Sequence, residues 1–265
     1  MKQTVHFTEN RLLRATNPIK LHLIGGGGTG SRVLTALAQL NHAMTALGHP
    51  GLEVTLWDND TVTEANRGRQ LFAQSEVGLP KAMALVQRTN RFFGTAWKAR
   101  DQRFDGKAHA EIGDIYLSCV DNVDTRFALA QWLGQLEIAD YEQQHPAYWM
   151  DFGNGRKSGQ VILSTIGNIP QPDSEKFTTV SHMPFVTEAY GELLRQSEAG
   201  DDAPSCSLAE ALQQQDLFIN GALAQLGASL LWDLFRNGMT HYSGFFLNLG
   251  DFRAQPVLLR PVNVP

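Results

Sequence analysis

The stretch LHLIGGGGTGS, residues 21–31, decides the fold. It carries an apolar run into four consecutive glycines, adds a fifth at Gly30, and passes into SRVLTALAQLNHAMTALG, where apolar residues recur at helical spacing. Strand, glycine turn and helix in that order make a nucleotide site. The pattern Gly25-x-Gly27-x-x-Gly30 lets backbone approach a phosphate, and the helix N-terminus offers unbonded N–H groups to an anion. Five glycines in positions 25–30 exceed what a tight turn needs, so Gly25, Gly27 and Gly30 are read as phosphate contacts. The loop alone does not choose among nucleotides.

Working outward, the GHPG turn at 48–51 leads to a second strand, LEVTLWDND, which completes a βαβ unit of a doubly wound parallel sheet. Residues 80–94 read as a helix opened by Pro80 and closed by Gly94. IYLSCVDN at 115–122 reads as a buried strand, and DTRFALAQWLGQL as the helix after it. From about residue 147 the pattern changes: YWMDFGNGRKSGQVILST holds strands around a glycine turn without a crossover helix, so pairing there becomes antiparallel or mixed. Residues 167–207, with prolines, serines and acidic residues, read as an irregular crossover loop. An apolar helix at 217–235 and two terminal strands follow. The expectation is one α/β domain over 1–265, Rossmann-like, with a polar N-terminal segment at 1–20, a parallel first half and a mixed or antiparallel second half.

Composition excludes more than it specifies. With 265 residues, 43% of them apolar and 18% charged, the chain suits an ordinary globular domain. A net charge of −5 without long single-sign runs argues against DNA or RNA as a partner. Cys119 and Cys206 lie far apart with no CxxC, so neither a disulfide framework nor a four-thiolate zinc site is expected, and a reducing cytoplasm is the expected compartment. The N-terminal residues lack the apolar core of a signal peptide, and no run of about 18 apolar residues marks a membrane span.

The residues after the second strand separate the nucleotide classes. In LWDNDTVTEANRGRQLF, Asp58 closes the strand and Asn66, Arg69 and Gln70 come next, with Lys81 behind GLP. A dinucleotide enzyme needs one acidic group here, for ribose hydroxyls. An amide, a guanidinium and an ammonium beyond it form a clamp for triphosphate charge, with Arg69 and Lys81 neutralising phosphates and Asp58 accepting from ribose. Asp121, after IYLSCV, offers a carboxylate to magnesium or a cap to the next helix.

At these residues the chain resembles the ThiF/MoeB/HesA family, bacterial relatives of ubiquitin-activating E1 enzymes. The family's ordered pattern is met by IGGGGTG, DNDTV, NRGRQ, LPKA and SCVDNVDTR, and the resemblance extends over roughly residues 20–240. Within the family it looks most similar to the ThiF-type proteins of plasmid-associated PRTRC systems. The resemblance implies an E1-like adenylation fold, ATP and Mg2+ as cofactors, and a homodimer. It also implies adenylation of the C-terminal glycine carboxylate of a ubiquitin-like or sulfur-carrier protein, followed in some relatives by thioester or persulfide chemistry. Gly25, Gly27, Gly30, Asp58, Asn66, Arg69, Gln70, Lys81 and Asp121 would bind nucleotide. Arg69, Lys81 and Asp121 would serve catalysis, with Asp121 at the metal. The zinc-holding CxxC pairs of many relatives are absent from this chain, so zinc is not expected.

Cys206, in APSCSLAEAL before a helical pattern, sits where a helix N-terminus favours thiolate and where relatives place a covalent cysteine. Arg126 reads as a helix-surface or interdomain salt-bridge residue before a ligand, Cys119 as a small buried hydrophobe, and Asp60 as a turn or cap. Arg11 and Arg14 stand in a solvated segment, although family members can send an N-terminal arginine across a dimer to ATP. Two alternatives stay open: a small-molecule, peptide or tRNA-borne carboxylate on the same fold, or a non-catalytic or NAD-binding Rossmann module.

Overall fold

The computed structural model describes residues 2–105, 112–138, 145–198 and 216–261. Its main sheet has eight strands. Five run parallel: β2 (Ile19–Ile24), β3 (Leu52–Trp57), β4 (Lys98–Arg100), β5 (Ile115–Ser118) and β6 (Tyr148–Asn154), in the order β4-β3-β2-β5-β6. From β6 the sheet continues antiparallel through β7 (Ser158–Thr165), β10 (Tyr242–Asn248) and β11 (Arg253–Leu258). The pairing therefore changes sense at β6, as the sequence predicts from the loss of crossover helices.

The inner parallel strands β2, β3 and β5 are almost wholly buried because helices cover both faces. Side chains alternate strictly. Leu21, Leu23, Ile115, Leu117, Met150 and Phe152 point into the core beneath α2 (Gly28–Ala46), α3 (Lys81–Phe93) and the apolar helix α6 (Ile219–Asn237). Ile24, Tyr116 and Trp149 point the other way, against α4 (Val123–Ile138) and α5 (Val186–Glu198). Pro80 and Gly94 bound α3 as expected, Gly94 closing it at φ 72°.

Two segments differ from the sequence reading. Residues 167–198, expected to be irregular, contain β8 (Phe177–Thr179) and the 13-residue α5, whose pattern is broken by a non-helical Tyr190 at φ −136°. Residues 199–207 of that expected loop, Cys206 among them, lie outside the described residues. The N-terminal segment is also built: β1 (Gln3–Phe7) lies between β8 and β9 (Met239–Thr240) in a small second sheet, and the short α1 (Asn10–Leu13) buries Leu12.

His6 fastens that small sheet to the large one. It is fully buried, its Nδ1 lies 2.6 Å from the Val180 carbonyl and its Nε2 2.9 Å from the Tyr148 hydroxyl. A carbonyl can only accept, so Nδ1 carries the proton and Nε2 accepts from tyrosine. The hydroxyl oxygen accepts in turn from the Glu9 N–H at 3.0 Å. Burial holds the His6 pKa below 6.5, against the opposite pull of the Val180 bond. Unfolded His6 therefore binds a proton that folded His6 resists. Its contribution to stability is complete above about pH 6.5 and is lost as pH falls from there through the depressed folded pKa. His6→Gln should flatten the decline of melting temperature below pH 6.5; an unchanged slope would remove His6 as its source.

Candidate active site

A cleft of ≈ 1390 Å³ opens along the C-terminal ends of the parallel strands and runs on over the antiparallel half. That edge is where an open parallel sheet binds ligands. The glycine turn after β2 forms one wall. Gly25 takes φ 94°, its N–H donates to the Trp57 carbonyl at 2.8 Å, and a Cβ on it would meet the Cys119 carbonyl oxygen at 2.7 Å. Gly27 caps α2 and has no side chain to satisfy the helix's first N–H groups. Nothing lies within 4 Å of where its Cβ would stand, and it lines the cleft. Gly28 and Thr29 line it too, which the sequence reading did not name; Gly30 packs behind the loop, where a Cβ would run into the Gly25 carbonyl oxygen.

Asp58, at the end of β3, accepts the Gly26 N–H on Oδ2 at 2.6 Å and the Asp60 N–H on Oδ1 at 2.8 Å. Each oxygen keeps a lone pair for another donor. Burial raises the Asp58 pKa above its ordinary value, while the two N–H groups and the Lys81 charge work against that rise. Past Asp58 the chain makes a 3-10 turn at Glu64–Asn66, in which the Asn66 side-chain oxygen accepts the Thr63 N–H at 2.9 Å. Asn66, Arg69, Gln70 and Lys81 all reach the cleft. Gln70 is buried, and its Oε1 is an acceptor with no partner among the described residues.

Lys81 sits in the first turn of α3 and is buried, with Nζ 2.7 Å from Asp60 Oδ2. Asp60 is thus more than a turn residue. The signal was present in the sequence: an ammonium at a helix N-terminus is unfavourable without an anion beside it. Asp121 lies exposed on the cleft beyond β5. It is not the cap of α4. Asn122 takes that part, accepting the Thr125 N–H at 2.8 Å, so the Asp121 carboxylate is left for other chemistry.

The far side of the cleft adds residues with no motif to mark them. Asn220, 1% exposed at the start of α6, accepts from Thr29 Oγ1 at 2.9 Å and from Asn154 Nδ2 at 2.7 Å. Its own Nδ2 lies so near Gly28 that a Cβ there would come within 2.5 Å. Asn220 thereby ties the glycine turn to the end of β6.

Arg126 is 4% exposed and bonds Asp151 through Nε, 3.1 Å from both carboxylate oxygens; it is a salt-bridge residue as expected, but the bridge is buried between α4 and β6 and not on a helix surface. Cys119 lines the cleft beside Gly25, and burial pushes its thiol pKa well above the ordinary value, which suits a packing role. Arg11 is engaged by its own chain, with Glu9, Asp114 and the His145 carbonyl, at the opposite edge of the sheet from the cleft; Arg14 is exposed. Among the described residues no three His, Cys, Asp or Glu side chains form a metal cluster, and no helix is long and apolar enough to cross a membrane.

A doubly wound sheet with an antiparallel extension, a glycine turn on its C-terminal edge and cations and carboxylates around one cleft is the arrangement of the E1-like adenylation fold. The ThiF family model matches residues 3–257, and the chain belongs to the ThiF family. Among solved structures it is similar to E. coli MccB, with a TM-score of 0.58 and 16% identity over 95% of this chain and 65% of MccB. It is also similar to PaaA, with a TM-score of 0.59 and 14% identity over 94% of this chain and 65% of PaaA. The chain thus spans 65% of the length of these two proteins. MccB has been solved with ATP and with MccA, at TM-scores of 0.56 to this chain. No curated protein matches the sequence.

Proposed function

We propose that the protein adenylates a carboxylate with ATP, at the C-terminus of a ubiquitin-like or sulfur-carrier protein or of a peptide. The observation that carries this reading is that Asp58, Asn66, Arg69, Gln70, Lys81 and Asp121 line one cleft with the glycine turn. Asp58 accepts from the ribose hydroxyls, and the α2 N-terminus takes one phosphate in line with Gly27. Arg69 and Lys81 hold the charge that grows on the leaving pyrophosphate, with Gln70 beside them. Asp121 would hold Mg2+ together with the phosphates, as a single carboxylate commonly does, and that ion would screen phosphate charge from the incoming carboxylate. The acceptor's carboxylate oxygen attacks the α-phosphorus and pyrophosphate departs, so positioning supplies most of the acceleration and no side-chain nucleophile is needed.

The cleft supports a second substrate beside the nucleotide. It exceeds the roughly 300–1,000 Å³ that one small ligand fills, and it continues over the antiparallel half past Asn154, Gly155 and Ser158. MccB has been solved with MccA and with N-formylated MccA bound, and a second substrate beside the nucleotide is in keeping with that. An N-terminal arginine from a second copy, with Arg14 exposed for it, and a covalent step at Cys206 remain parts of this proposal.

Titration calorimetry tests the nucleotide half without an acceptor. ATP should bind, NAD should not, and Lys81→Ala should weaken ATP about tenfold to a hundredfold, the loss of a hydrogen bond to a charged group worth about 1.5–3 kcal/mol. Binding of NAD with no affinity for ATP would give the dehydrogenase-like reading its place.

A further inference from the structure

We propose that the Asp60 carboxylate is a built-in stand-in for phosphate: it holds Lys81 until a nucleotide polyphosphate displaces it. This rests on the ATP reading above and adds a residue to it.

Lys81 is in an awkward place for a cation. It lies in the first turn of α3, where the helix dipole opposes positive charge, and its side chain is 8% exposed, so water does little for the ammonium. An anion has to be near. Asp60 supplies one at 2.7 Å, yet its own side chain is 61% exposed, so the carboxylate stands on the solvent side of the ammonium. Both residues line the cleft. An anion arriving from solvent reaches Lys81 where Asp60 now sits.

The Asp60 backbone is fixed while its side chain is not. Its N–H donates to Asp58 Oδ1 at 2.8 Å, and its carbonyl accepts the Lys81 N–H at 2.8 Å. The main chain therefore holds the ribose-side carboxylate and the phosphate-side cation in register whether or not the ion pair is closed. Rotation of one exposed side chain opens it. A ligand with a dense negative charge wins Lys81 from a single carboxylate, and one with a lone phosphate at the α2 N-terminus has nothing to offer there. Asp60 thus competes with polyphosphate nucleotides for Lys81 and lowers their affinity, while AMP, which does not reach the pair, is untouched.

The test is calorimetry with ATP and with AMP, at one salt concentration, on the wild type, Asp60→Asn, Asp60→Ser, Lys81→Ala and the Asp60→Asn/Lys81→Ala double variant. Removing the competing carboxylate should tighten ATP about two- to fivefold, the range of an ion pair with one exposed partner, and leave AMP unchanged. In the Lys81→Ala background the gain should vanish, because coupled residues are not additive. Weaker ATP binding in both Asp60 variants would overturn the stand-in and make Asp60 an anchor. A gain that persists without Lys81, or that appears equally for AMP, would overturn it in favour of plain charge repulsion. Failure of the stand-in alone leaves wild-type ATP binding and its loss in Lys81→Ala intact; absence of ATP binding by the wild type removes both readings.

Discussion

A methyl group at Gly30 should unfold the protein, and one at Gly27 should leave it folded but unable to hold ATP. The two glycines are three residues apart in the same turn, and the chain uses them for different reasons. At Gly30 an added Cβ runs into the backbone carbonyl of Gly25 and presses on Cys119 Cβ at 3.4 Å. Neither neighbour can yield, because Gly25 is pinned by the bond of its N–H to the Trp57 carbonyl and Cys119 by the bond of its N–H to the Ile24 carbonyl, each at 2.8 Å. An overpacked core with flexible neighbours loses roughly 1–3 kcal/mol; a clash between backbone atoms should exceed about 4 kcal/mol, much of the ~5–15 kcal/mol that holds a domain together. At Gly27 a Cβ meets nothing within 4 Å, and φ is −75°, outside the left-handed region. Gly27→Ala should cost only about 1 kcal/mol, the usual disadvantage of alanine at a helix N-cap, while its methyl occupies the space a phosphate needs at the helix end. Urea denaturation and ATP titration of the two variants separate these effects. Equal ATP affinity in Gly27→Ala would show that phosphate does not approach there.

Much of the parallel half is legible in the sequence because its signals are local. The apolar run of β2, the glycines after it, Pro80 and Gly94 around α3, and the change of pattern near residue 147 each lie within a few residues of the feature they specify. The features that escape reading are brought about by packing between distant segments. Asn220 meets Thr29 across 191 positions; Thr29 is an unspecified position of the glycine motif and Asn220 belongs to none. β4 is a three-residue edge strand, Lys98–Arg100, without a buried face to give it a pattern. α5 is hidden by its break at Tyr190, where the period that would announce a helix is interrupted. The cap of α4 shows another limit: Asp121 and Asn122 are both capable caps, and only the path of the chain out of β5 assigns the task to Asn122. Gly30 is legible as a required glycine, but it is read from the sequence as a phosphate contact, whereas the Gly25 carbonyl standing where its Cβ would be makes it a requirement of the fold.

Replacing Arg126 with methionine should cost about 3–5 kcal/mol, the usual consequence of leaving one member of a buried ion pair alone. Asp151 is 1% exposed and would keep its charge in the sheet with the Ser118 hydroxyl, 2.6 Å away, as its remaining side-chain partner. Trp149 Nε1 donates to that same hydroxyl at 2.8 Å, so a shift of Asp151 would pass into the aromatic core beneath α4. Lysine should rescue little. Arg126 also donates through Nη2 to the carbonyls of Val120 and Phe152, at 2.6 and 3.2 Å, and one ammonium cannot span the carboxylate and both of these. The double variant Arg126→Met/Asp151→Leu should recover part of the loss, because it removes both charges together. The bond to Val120 carries the effect to the site. It fixes the carbonyl immediately ahead of Asp121, so a fold that survives in the double variant should still bind Mg-ATP less tightly than the wild type, with AMP affinity changed less. If denaturation gives the single variant a loss below about 1 kcal/mol, the pair is not what holds β5, β6 and α4 together at the rim of the cleft.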